Sequence, residues 1–481
     1  MEAATGAISW LLNLGAAVFV PLVMIVAGLI VRMKPLEAVK AGVTLGVAFT
    51  GMSLLIDFMS TAISPAAEAI TINTGVHLPI IDGGWTTVAT ACWGWPYGFL
   101  LFPLMVVINI AMIALKKTNT FNADVLNVWG KIFTTAAVYF LTNNLVLAFI
   151  AASIQIVLEI VCGDAHQHRI EKLTGIPGIT CTHRMIFTSA LMYPIDCLLR
   201  KIPVLNKEIN ASTVKNKIGV FAEDSMLGLI LGLIFALVAR YDVSKTLQLA
   251  IQCAASLTLF PVVASYFTKA LTPISTAISE FMSKRFPGRT FCIGMDWQFM
   301  GASNEMWLAV YWNTLVTLFL AMILPGNELL PFAGIINVAI AIAAYLVTEG
   351  NLPRMLILST LFAPAYIYAG TFFAETITQL ATSTGAVSLQ PGELISNASI
   401  EAPVFTYGLS QLADIVNGNF LPLLALAIWA ACFVLYRRSL LKEKAYDIEH
   451  GVVTPAMKAN REAEAEMEAA EAAALGEVPA E

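Results

Sequence analysis

The stretch LIVRMKPLEAVKAGVTLGVAFTGMSLLIDFMSTAISPAAEAI, residues 29–70, has a weaker second copy at 237–278, LVARYDVSKTLQLAIQCAASLTLFPVVASYFTKALTPISTAI. At this offset of 208 residues, seven of the 42 positions are identical. In each copy an arginine, Arg32 or Arg240, ends an apolar run, and a short polar step leads into a second apolar segment. The pattern predicts a duplicated pair of membrane helices.

The two copies also agree beyond the repeated stretch. We predict that the second helix of each copy stops at its proline, Pro65 or Pro273, because proline disrupts a helix interior. Each copy then reaches an acid beside an indole, in Asp82-Gly-Gly-Trp85 and in Asp296-Trp297. Many membrane carriers are built from two inverted copies whose broken segments hold the substrate at mid-bilayer. The agreement favours an inverted repeat of this kind.

The composition indicates a membrane protein. The chain of 481 residues is 58% hydrophobic and 12% charged, whereas about 25% of a typical soluble domain is charged. Many apolar windows reach the roughly 20 residues that cross a bilayer, so we predict an all-α polytopic membrane protein. The net charge of −6 gives no support for nucleic-acid binding, and the seven cysteines form no C-x-x-C pair. We expect neither a metal site nor a cofactor.

Hydropathy divides the chain into about eleven transmembrane helices. By the positive-inside rule, the basic clusters between these helices belong in the cytoplasm. Eleven crossings with the N-terminus outside place every basic cluster there except the Arg240/Lys245 corner. Five crossings separate the two copies, so the second copy is inverted, and the repeats extend over about residues 10–200 and 218–416. The predicted spans are 10–32, 41–62, 93–115, 126–143, 145–162, 225–240, 246–270, 305–324, 329–348, 354–375 and 418–436.

Four stretches are too broken to span the membrane and too apolar for ordinary loops: 64–92, 168–200, 272–304 and 376–416. Irregular backbone at membrane depth occurs only where protein buries it or where it lines a wet cavity. We predict re-entrant hairpins for 168–200 and 376–416, with surface helices as the alternative. For 272–290 we predict a surface helix, because its end is strongly basic.

Acidic residues within membrane segments are costly and are usually functional. We interpret Asp57, Glu159 and Asp196 as structural acids. Asp82 and Asp296 follow the predicted helix breaks, where a carboxylate can accept hydrogen bonds from helix N-terminal amides or from the hydroxyls of a ligand. Both interpretations stay open for these two acids.

Glu223 and Asp224 directly precede the sixth span. They are either a helix-start pair that the helix dipole favours or carboxylate acceptors for adjacent polyol hydroxyls. His183 lies inside a predicted hairpin and is either a satisfied structural histidine or a ligand contact. We interpret His166 and His168 as surface histidines.

Tryptophans near the breaks, including Trp85, can stack on the face of a sugar or belong to an interfacial belt. The sequence has no Walker loop, kinase signature or Ser/His/Asp arrangement, which argues against an ATP-driven pump or an autonomous enzyme. Arg437 and Arg438 mark the cytoplasmic edge after the last span. Residues 441–481 are predicted to form an acidic cytoplasmic tail that cannot fold alone.

These features resemble the membrane subunit, IIC, of the galactitol-type bacterial phosphotransferase system, part of the ascorbate–galactitol group. The resemblance runs from about residue 12 to 440 and therefore covers the predicted transport domain at 1–440. The motifs that carry it are Ile63-Ser-Pro-Ala-Ala-Glu-Ala-Ile70, Asp82-Gly-Gly-Trp85, Asn122-Ala-Asp-Val-Leu-Asn-Val-Trp129, Lys201-Ile-Pro-Val-Leu-Asn206, Phe221-Ala-Glu223, Leu271-Thr-Pro-Ile274, Phe291-Cys-Ile-Gly-Met-Asp296, Pro325-Gly-Asn-Glu-Leu-Leu-Pro-Phe332 and Gly350-Asn-Leu-Pro-Arg354.

The resemblance implies a homodimeric carrier in the bacterial inner membrane, in which a core domain slides against a scaffold in an elevator motion. The carrier brings one polyol or sugar to the cytoplasm. There a separate IIB protein, itself phosphorylated on cysteine by IIA, phosphorylates the substrate. This chain has no IIB-like domain, so we expect it to be a transporter subunit with no phosphorylated cysteine of its own.

Two positions depart from the family pattern, which usually has Gly-Glu-Pro in place of Ala222-Glu223-Asp224 and His-Gly in place of His183-Arg184. Both fall at the expected pocket, so galactitol itself is left open as the substrate. The alternative function is an ion-coupled or gradient-driven secondary transporter of a sugar or polyol on the same scaffold, with Asp224 as its ion site. The expected substrate-binding residues are Glu223, His183, Asp82, Trp85, Asp296 and Asp224.

Overall fold

The computed structural model describes residues 16–76, 78–124, 127–205, 223–285, 289, 291–331, 333–462 and 465. This part of the chain forms fifteen α-helices and five short strands. The strands are β1 (Ile80–Asp82), β2 (Thr120–Asn122), β3 (Ile179–Cys181), β4 (Cys292–Met295) and β5 (Leu394–Ser396). The helices are α1 (Ala16–Ile30), α2 (Pro35–Thr74), α3 (Gly84–Gly94), α4 (Leu101–Ala114), α5 (Val128–Thr142), α6 (Leu145–Thr174), α7 (Thr188–Leu199), α8 (Asp224–Val238), α9 (Val243–Arg285), α10 (Asn304–Ile323), α11 (Val338–Thr348), α12 (Leu352–Phe372), α13 (Ala374–Ser383), α14 (Pro403–Ser410) and α15 (Leu421–His450).

Two long helical hairpins, α1–α2 and α8–α9, contain the repeated stretches. Each hairpin turns at its arginine: φ is 67° at Arg32 and 55° at Arg240, in the left-handed region that commonly closes a helix C-terminus. The residue after each arginine donates its backbone N–H to the carbonyl five residues earlier, at 2.9 Å and 3.0 Å. Equivalent positions of the two copies therefore make the same turn.

Glycines allow close backbone contact within both hairpins. Gly228 and Gly232 of α8 face α9, where an added Cβ would lie 2.5 Å and 2.6 Å from backbone atoms. Gly42 and Gly46 of α2 face α1, where an added Cβ would lie 2.3 Å and 2.9 Å from its nearest atoms. Small residues at four-residue spacing are typical of packed membrane helices. The glycine spacing in the sequence therefore accounts for the close packing within both hairpins.

The prediction that the second helices stop at their prolines is wrong. Helix α2 continues through Pro65, and α9 continues through Pro273. A proline forfeits one helical hydrogen bond, but surrounding helices make it tolerable within a membrane helix. Here α2 and α9 pack against each other. The surface helix predicted for 272–290 is instead the end of α9, and its first residues, including Thr272 and Ile274, are buried.

Each of the eleven predicted spans overlaps a helix. By length and composition, six helices could cross a membrane, or up to seven if the bent pair α3–α4 counts as one span. Three shorter apolar helices lie at Val20–Ile30, Ser225–Val238 and Val338–Thr348. The described part of the chain supports an all-α polytopic membrane protein, and the count of eleven stays a prediction.

The short strands connect the two halves of the chain. Strand β1 of the first half pairs in parallel with β5 of the second, and Ile80 bridges to Leu329. Strand β4 of the second half lies between β2 and β3 of the first half and is parallel to both. Each of the four broken stretches of the sequence contributes one of these strands. Their re-entry into a membrane stays a prediction.

The predicted start of the tail, at residue 441, falls inside α15. This helix continues because its charged end pairs with the end of α6, where Arg169 and Lys172 form ion pairs with Glu443. Lys172 also pairs with Asp447 at 2.8 Å. The beginning of the predicted tail thus packs on the transport domain, and most of its acidic remainder lies outside the described residues.

Candidate functional site

Three parallel strands end at one edge of their sheet, and polar residues just past their ends converge. Strand β2 ends two residues before Asp124, β3 ends two residues before His183, and β4 ends directly before Asp296. Polar residues at the carboxyl ends of parallel strands commonly form binding sites. One ligand atom from each of these three residues lies within 4.8 Å of the other two, and all three residues are buried.

His183 lies between two carboxylates. Its Nδ1 is 3.2 Å from Asp296 Oδ1 but has no hydrogen-bond partner by geometry, and its Nε2 is hydrogen-bonded to Glu401 Oε2 at 2.9 Å. Asp296 also accepts the backbone N–H of Trp297 at 2.8 Å and the side-chain amide of Gln298 at 2.7 Å. The imidazole and the aspartate are therefore fixed in orientation.

Glu401 is shared with Arg184. The Nε of this arginine donates to the same Glu401 oxygen at 3.0 Å, and its Nη1 donates to the Gly130 carbonyl at 3.0 Å. The guanidinium lies over the Trp129 ring, 5.5 Å from its centroid, and Trp129 stacks against Trp85 at 6.4 Å. Because Trp85 is 41% exposed, the stacked rings lead from the buried ion pair to the protein surface.

Buried polar atoms close to the cluster lack a protein partner among the described residues. They are Nδ2 of Asn122, Nε1 of Trp129 and Oε1 of Gln298. Asn122 is held at the cluster because its Oδ1 accepts the backbone N–H of Asp124 at 3.0 Å and the hydroxyl of Thr182 at 2.8 Å. Unpaired buried polar groups are uncommon and costly. Together with the cluster, these atoms suit a ligand site.

A buried ion pair on α5 and α6 is connected to the cluster. Lys131 Nζ lies 2.5 Å from Glu159 Oε2, and Gln155 donates to the other oxygen of Glu159 at 2.8 Å. Lys131 also reaches the carbonyl of Asn127 at 3.4 Å, and the Asn127 side chain donates to Asp124 at 2.9 Å. This continuous path positions Asp124 from the helices behind it.

The contacts of Glu159 and Asp196 favour the interpretation of both as structural acids. The two oxygens of Asp196 pair with Arg354 and Arg200, each at 2.6 Å, and Glu159 is neutralised by Lys131. Asp57, the third acid interpreted in this way, is exposed on α2.

Asp82 ends β1 much as Asp296 follows β4, but its surroundings differ. Its Oδ1 accepts the backbone N–H groups of Gly84 at 3.1 Å and Ala398 at 3.2 Å, and its Oδ2 accepts that of Gly334 at 2.6 Å. Backbone amides from three segments therefore donate hydrogen bonds to this carboxylate. The geometry favours a capping role for Asp82 over direct contact with a ligand.

Glu223 and Asp224 lie at the start of α8, which packs against α9, α2 and α10. Glu223 is exposed and makes no side-chain cap hydrogen bond. Among the described residues, no hydrogen bond or ion pair joins Glu223 to the cluster at His183, and the side chain of Asp224 lies outside the description. In this conformation the structure brings together His183, Asp296 and Trp85, and leaves Glu223 apart.

Interpreting His166 as a surface residue is wrong. Because α6 runs well beyond the predicted end of its span, His166 is only 1% exposed. Its ring nitrogens contact the Cys162 carbonyl at 2.8 Å and the Ser189 hydroxyl at 3.2 Å. His168 is half-buried and pairs with Asp447 at 2.9 Å. Both histidines therefore take part in packing between elements.

Sequence reasoning did not identify Glu401 as a site residue. In the sequence, Glu401 stands out only as an acidic residue inside the broken stretch 376–416. Its partner His183 is 218 residues away in the chain. Asp124 and Trp129 stand in a motif that carries the family resemblance, but no pattern around them indicates a role.

The comparisons with known proteins identify the family of this chain. The family model EIIC-GAT, described as a PTS system sugar-specific permease component, matches residues 10–391. The chain is 29% identical over 436 residues to the PTS system galactitol-specific EIIC component of Escherichia coli strain K12, an alignment that covers 89% of this chain and 96% of that protein. The protein of the same name from Escherichia coli O157:H7 matches with the same identity and coverage. The chain therefore belongs to the EIIC-GAT family, the sugar-specific permease components of the phosphotransferase system, which are multi-pass proteins of the inner membrane.

Proposed function

We propose that this protein carries a polyol or sugar, galactitol or a close analogue, into the cytoplasm, where a separate IIB protein phosphorylates it. The observation that carries the proposal is the buried cluster of Asp124, His183 and Asp296, with the unpartnered donors of Asn122 and Trp129 nearby. Membership of the family supports the transport class, and the names of the relatives support galactitol.

The cluster suits a molecule with several adjacent hydroxyls. Each hydroxyl is a donor and an acceptor, so it can donate to Asp124 or Asp296 and accept from Asn122 Nδ2 or Trp129 Nε1. A carbon chain or ring could also lie against the indole of Trp129. A site that forms hydrogen bonds with substrate hydroxyls rejects analogues that lack a hydroxyl, because buried polar groups of the protein would then stay unpaired.

The cysteines support the expectation that phosphate comes from another protein. Five of the seven are buried, and the other two, Cys197 and Cys432, are half-buried. None of them is exposed in the way that a cysteine must be to accept phosphate from IIA and pass it on. A separate IIB protein, phosphorylated by IIA, would act at the cytoplasmic face.

We propose an elevator mechanism, in which the site-bearing core moves against the hairpins α1–α2 and α8–α9. Both hairpins expose large apolar side chains, for example Leu54 and Leu237, which suits contact with lipid or with a second copy in a homodimer. The strand pairing suits two interlocked repeats, which we propose to be inverted, because each sheet combines strands from both halves of the chain. Eleven crossings, an outside N-terminus and a cytoplasmic C-terminus complete the proposed arrangement.

We further propose that Glu223 and Asp224 contact the substrate at a different stage of transport. They begin α8, which belongs to a hairpin against which the core would move. In an elevator motion the cluster could approach them, although Glu223 is exposed in the present conformation. Replacing Glu223 with Gln then weakens transport even though the cluster is intact.

Binding of labelled galactitol to the purified full-length protein in detergent tests the site. We expect Asp296→Asn to weaken binding by about 10- to 100-fold, because it removes a charged acceptor of hydroxyl hydrogen bonds. Asp57→Asn, which changes an exposed acid of α2, is the matched control and should bind like the wild type. Competition with other hexitols and with hexoses ranks the substrates. Equal affinity of the Asp296→Asn variant and the wild type would refute the assigned site.

A further inference from the structure

We propose that Asp124, His183 and Asp296 bind a divalent metal cation of the Mn²⁺ or Zn²⁺ type inside the buried cluster. The proposal rests on the proposed function in one respect, since hydroxyls of the polyol would complete the coordination of the metal. The sequence gives no metal signal, because the three residues lie far apart in the chain and share no ligand spacing. The parallel strands β2, β3 and β4 bring them together.

The donor atoms match this class of cation. Two carboxylates and one imidazole offer ligand atoms within 4.8 Å of one another, and all three residues are buried. Carboxylate and imidazole ligands together suit Mn²⁺, Zn²⁺ and related ions, whereas Ca²⁺ and Mg²⁺ prefer oxygen ligands alone. Three protein ligands also leave coordination positions open, as in metal sites that act on a substrate.

Two atoms at the cluster without a hydrogen-bond partner are of types that can coordinate a cation. Nδ1 of His183 is buried and has no hydrogen-bond partner, although Asp296 Oδ1 is 3.2 Å away. His183 is 2% exposed. Oε1 of Gln298 is likewise buried and unpartnered, while the amide nitrogen of the same side chain donates to Asp296. Both unpartnered atoms are possible metal ligands.

The groups behind the three ligands have the arrangement of an outer coordination shell. The second ring nitrogen of His183 is hydrogen-bonded to Glu401 at 2.9 Å, and metal-binding histidines usually bond a carboxylate or carbonyl in this way. Asp124 accepts the side-chain amide of Asn127 at 2.9 Å and 3.1 Å, and Asp296 accepts the backbone N–H of Trp297 at 2.8 Å. Each ligand is thus held in place by a second group.

A divalent cation would also balance the buried charge. Glu401 is paired with Arg184, and Glu159 is paired with Lys131. The carboxylates of Asp124 and Asp296 form no ion pair with a lysine or an arginine among the described residues, and His183 is the base beside Asp296. Uncompensated buried charge is strongly unfavourable. One divalent cation would neutralise both carboxylates.

The test is a titration of the purified, full-length protein with Mn²⁺ after removal of metals by EDTA. Free Mn²⁺ is measured by electron paramagnetic resonance, and competition with Zn²⁺ follows. We expect one saturable site that Asp296→Asn and His183→Gln abolish and Asp57→Asn leaves unchanged. Glu401→Gln, which alters only the outer shell, should weaken binding by about 10- to 100-fold. Two ligand variants are used so that a variant that fails to fold does not decide the outcome.

Absence of saturable binding to the wild type would overturn the proposal. Binding that survives both ligand substitutions would also overturn it, because the ion would then be an adventitious ion only. Galactitol binding in EDTA and in Mn²⁺ separates this proposal from the transport proposal. Equal galactitol binding under both conditions refutes coordination of the polyol by the metal and leaves the transport proposal standing. Saturable Mn²⁺ binding without binding of any polyol supports the metal and refutes the assigned substrate site.

Discussion

At the scale of single residues, Glu401 positions two neighbouring side chains of the candidate site. One of its oxygens bonds both His183 and Arg184, so it orients the imidazole and neutralises the guanidinium. The space for Arg184 depends on Gly130, where an added Cβ would lie 3.2 Å from the guanidinium carbon. The guanidinium of Arg184 is therefore accommodated by an acid and a glycine that are distant in the chain.

We expect Glu401→Gln to lower both stability and galactitol affinity. The substitution leaves Arg184 buried without its counter-charge, and breaking a buried ion pair in this way costs about 3–5 kcal/mol. The double variant Arg184→Met/Glu401→Gln should recover part of the stability, because neither charge is then buried alone. Its galactitol affinity should stay low, because His183 still lacks its carboxylate partner. Thermal unfolding and binding of the same samples check this, and wild-type affinity in either variant would contradict it.

The site was predictable from sequence only where acids and histidines stand out in broken apolar stretches. Asp296 and His183 were named as candidates in this way. Glu401 and Asp124 were not distinguished, because their roles come from contacts between segments that the chain keeps far apart. Asp82 looked equivalent to Asp296 in sequence, and only its three backbone donors show that it is used differently.

At the scale of secondary-structure elements, a charged cluster joins the ends of α6 and α15. Arg169 bonds Glu443 and also donates to the Leu346 carbonyl at 2.6 Å. Lys172 lies 2.6 Å from Glu443 and 2.8 Å from Asp447. Because Arg169 is only 4% exposed, this cluster is shielded from salt better than a surface ion pair would be.

We expect Glu443→Gln to destabilise the protein by about 3 kcal/mol, because it leaves the buried Arg169 without its main acceptor. Glu449→Gln changes an exposed acid of the same helix and is the matched control, with an expected effect near zero. Thermal unfolding of both purified variants in the same detergent gives the comparison. If the two variants unfold at the same temperature, the cluster does not fasten α15 to α6.

The elements were largely predictable from apolar runs, and their ends were not. Both arginine corners were located from the repeated pattern, and both have the same left-handed turn. The prolines misled the prediction, because packing between α2 and α9 keeps the helices continuous through Pro65 and Pro273. A pattern in one segment cannot reveal that its helix will be supported by another.

At the scale of the whole molecule, the two small sheets combine strands from both halves of the chain and so join the halves in one core. Strand β4 of the second half aligns Asp296 with the residues that follow β2 and β3 of the first half. Neither half therefore contains a complete site. A repeat was predicted from the sequence, but strands of three or four residues are too short to be recognised there, so the pairing of strands between the halves could not be predicted.

The most direct test of coupled transport uses right-side-out membrane vesicles that contain this protein and enclose its IIA and IIB partners together with phosphoenolpyruvate. Labelled galactitol is supplied outside, and the label that crosses the membrane is separated into free and phosphorylated polyol. We predict that phosphorylated polyol accumulates only when all three proteins and phosphoenolpyruvate are present, and that Asp296→Asn abolishes it. Accumulation of free polyol without phosphoenolpyruvate would contradict the account and would favour a secondary transporter.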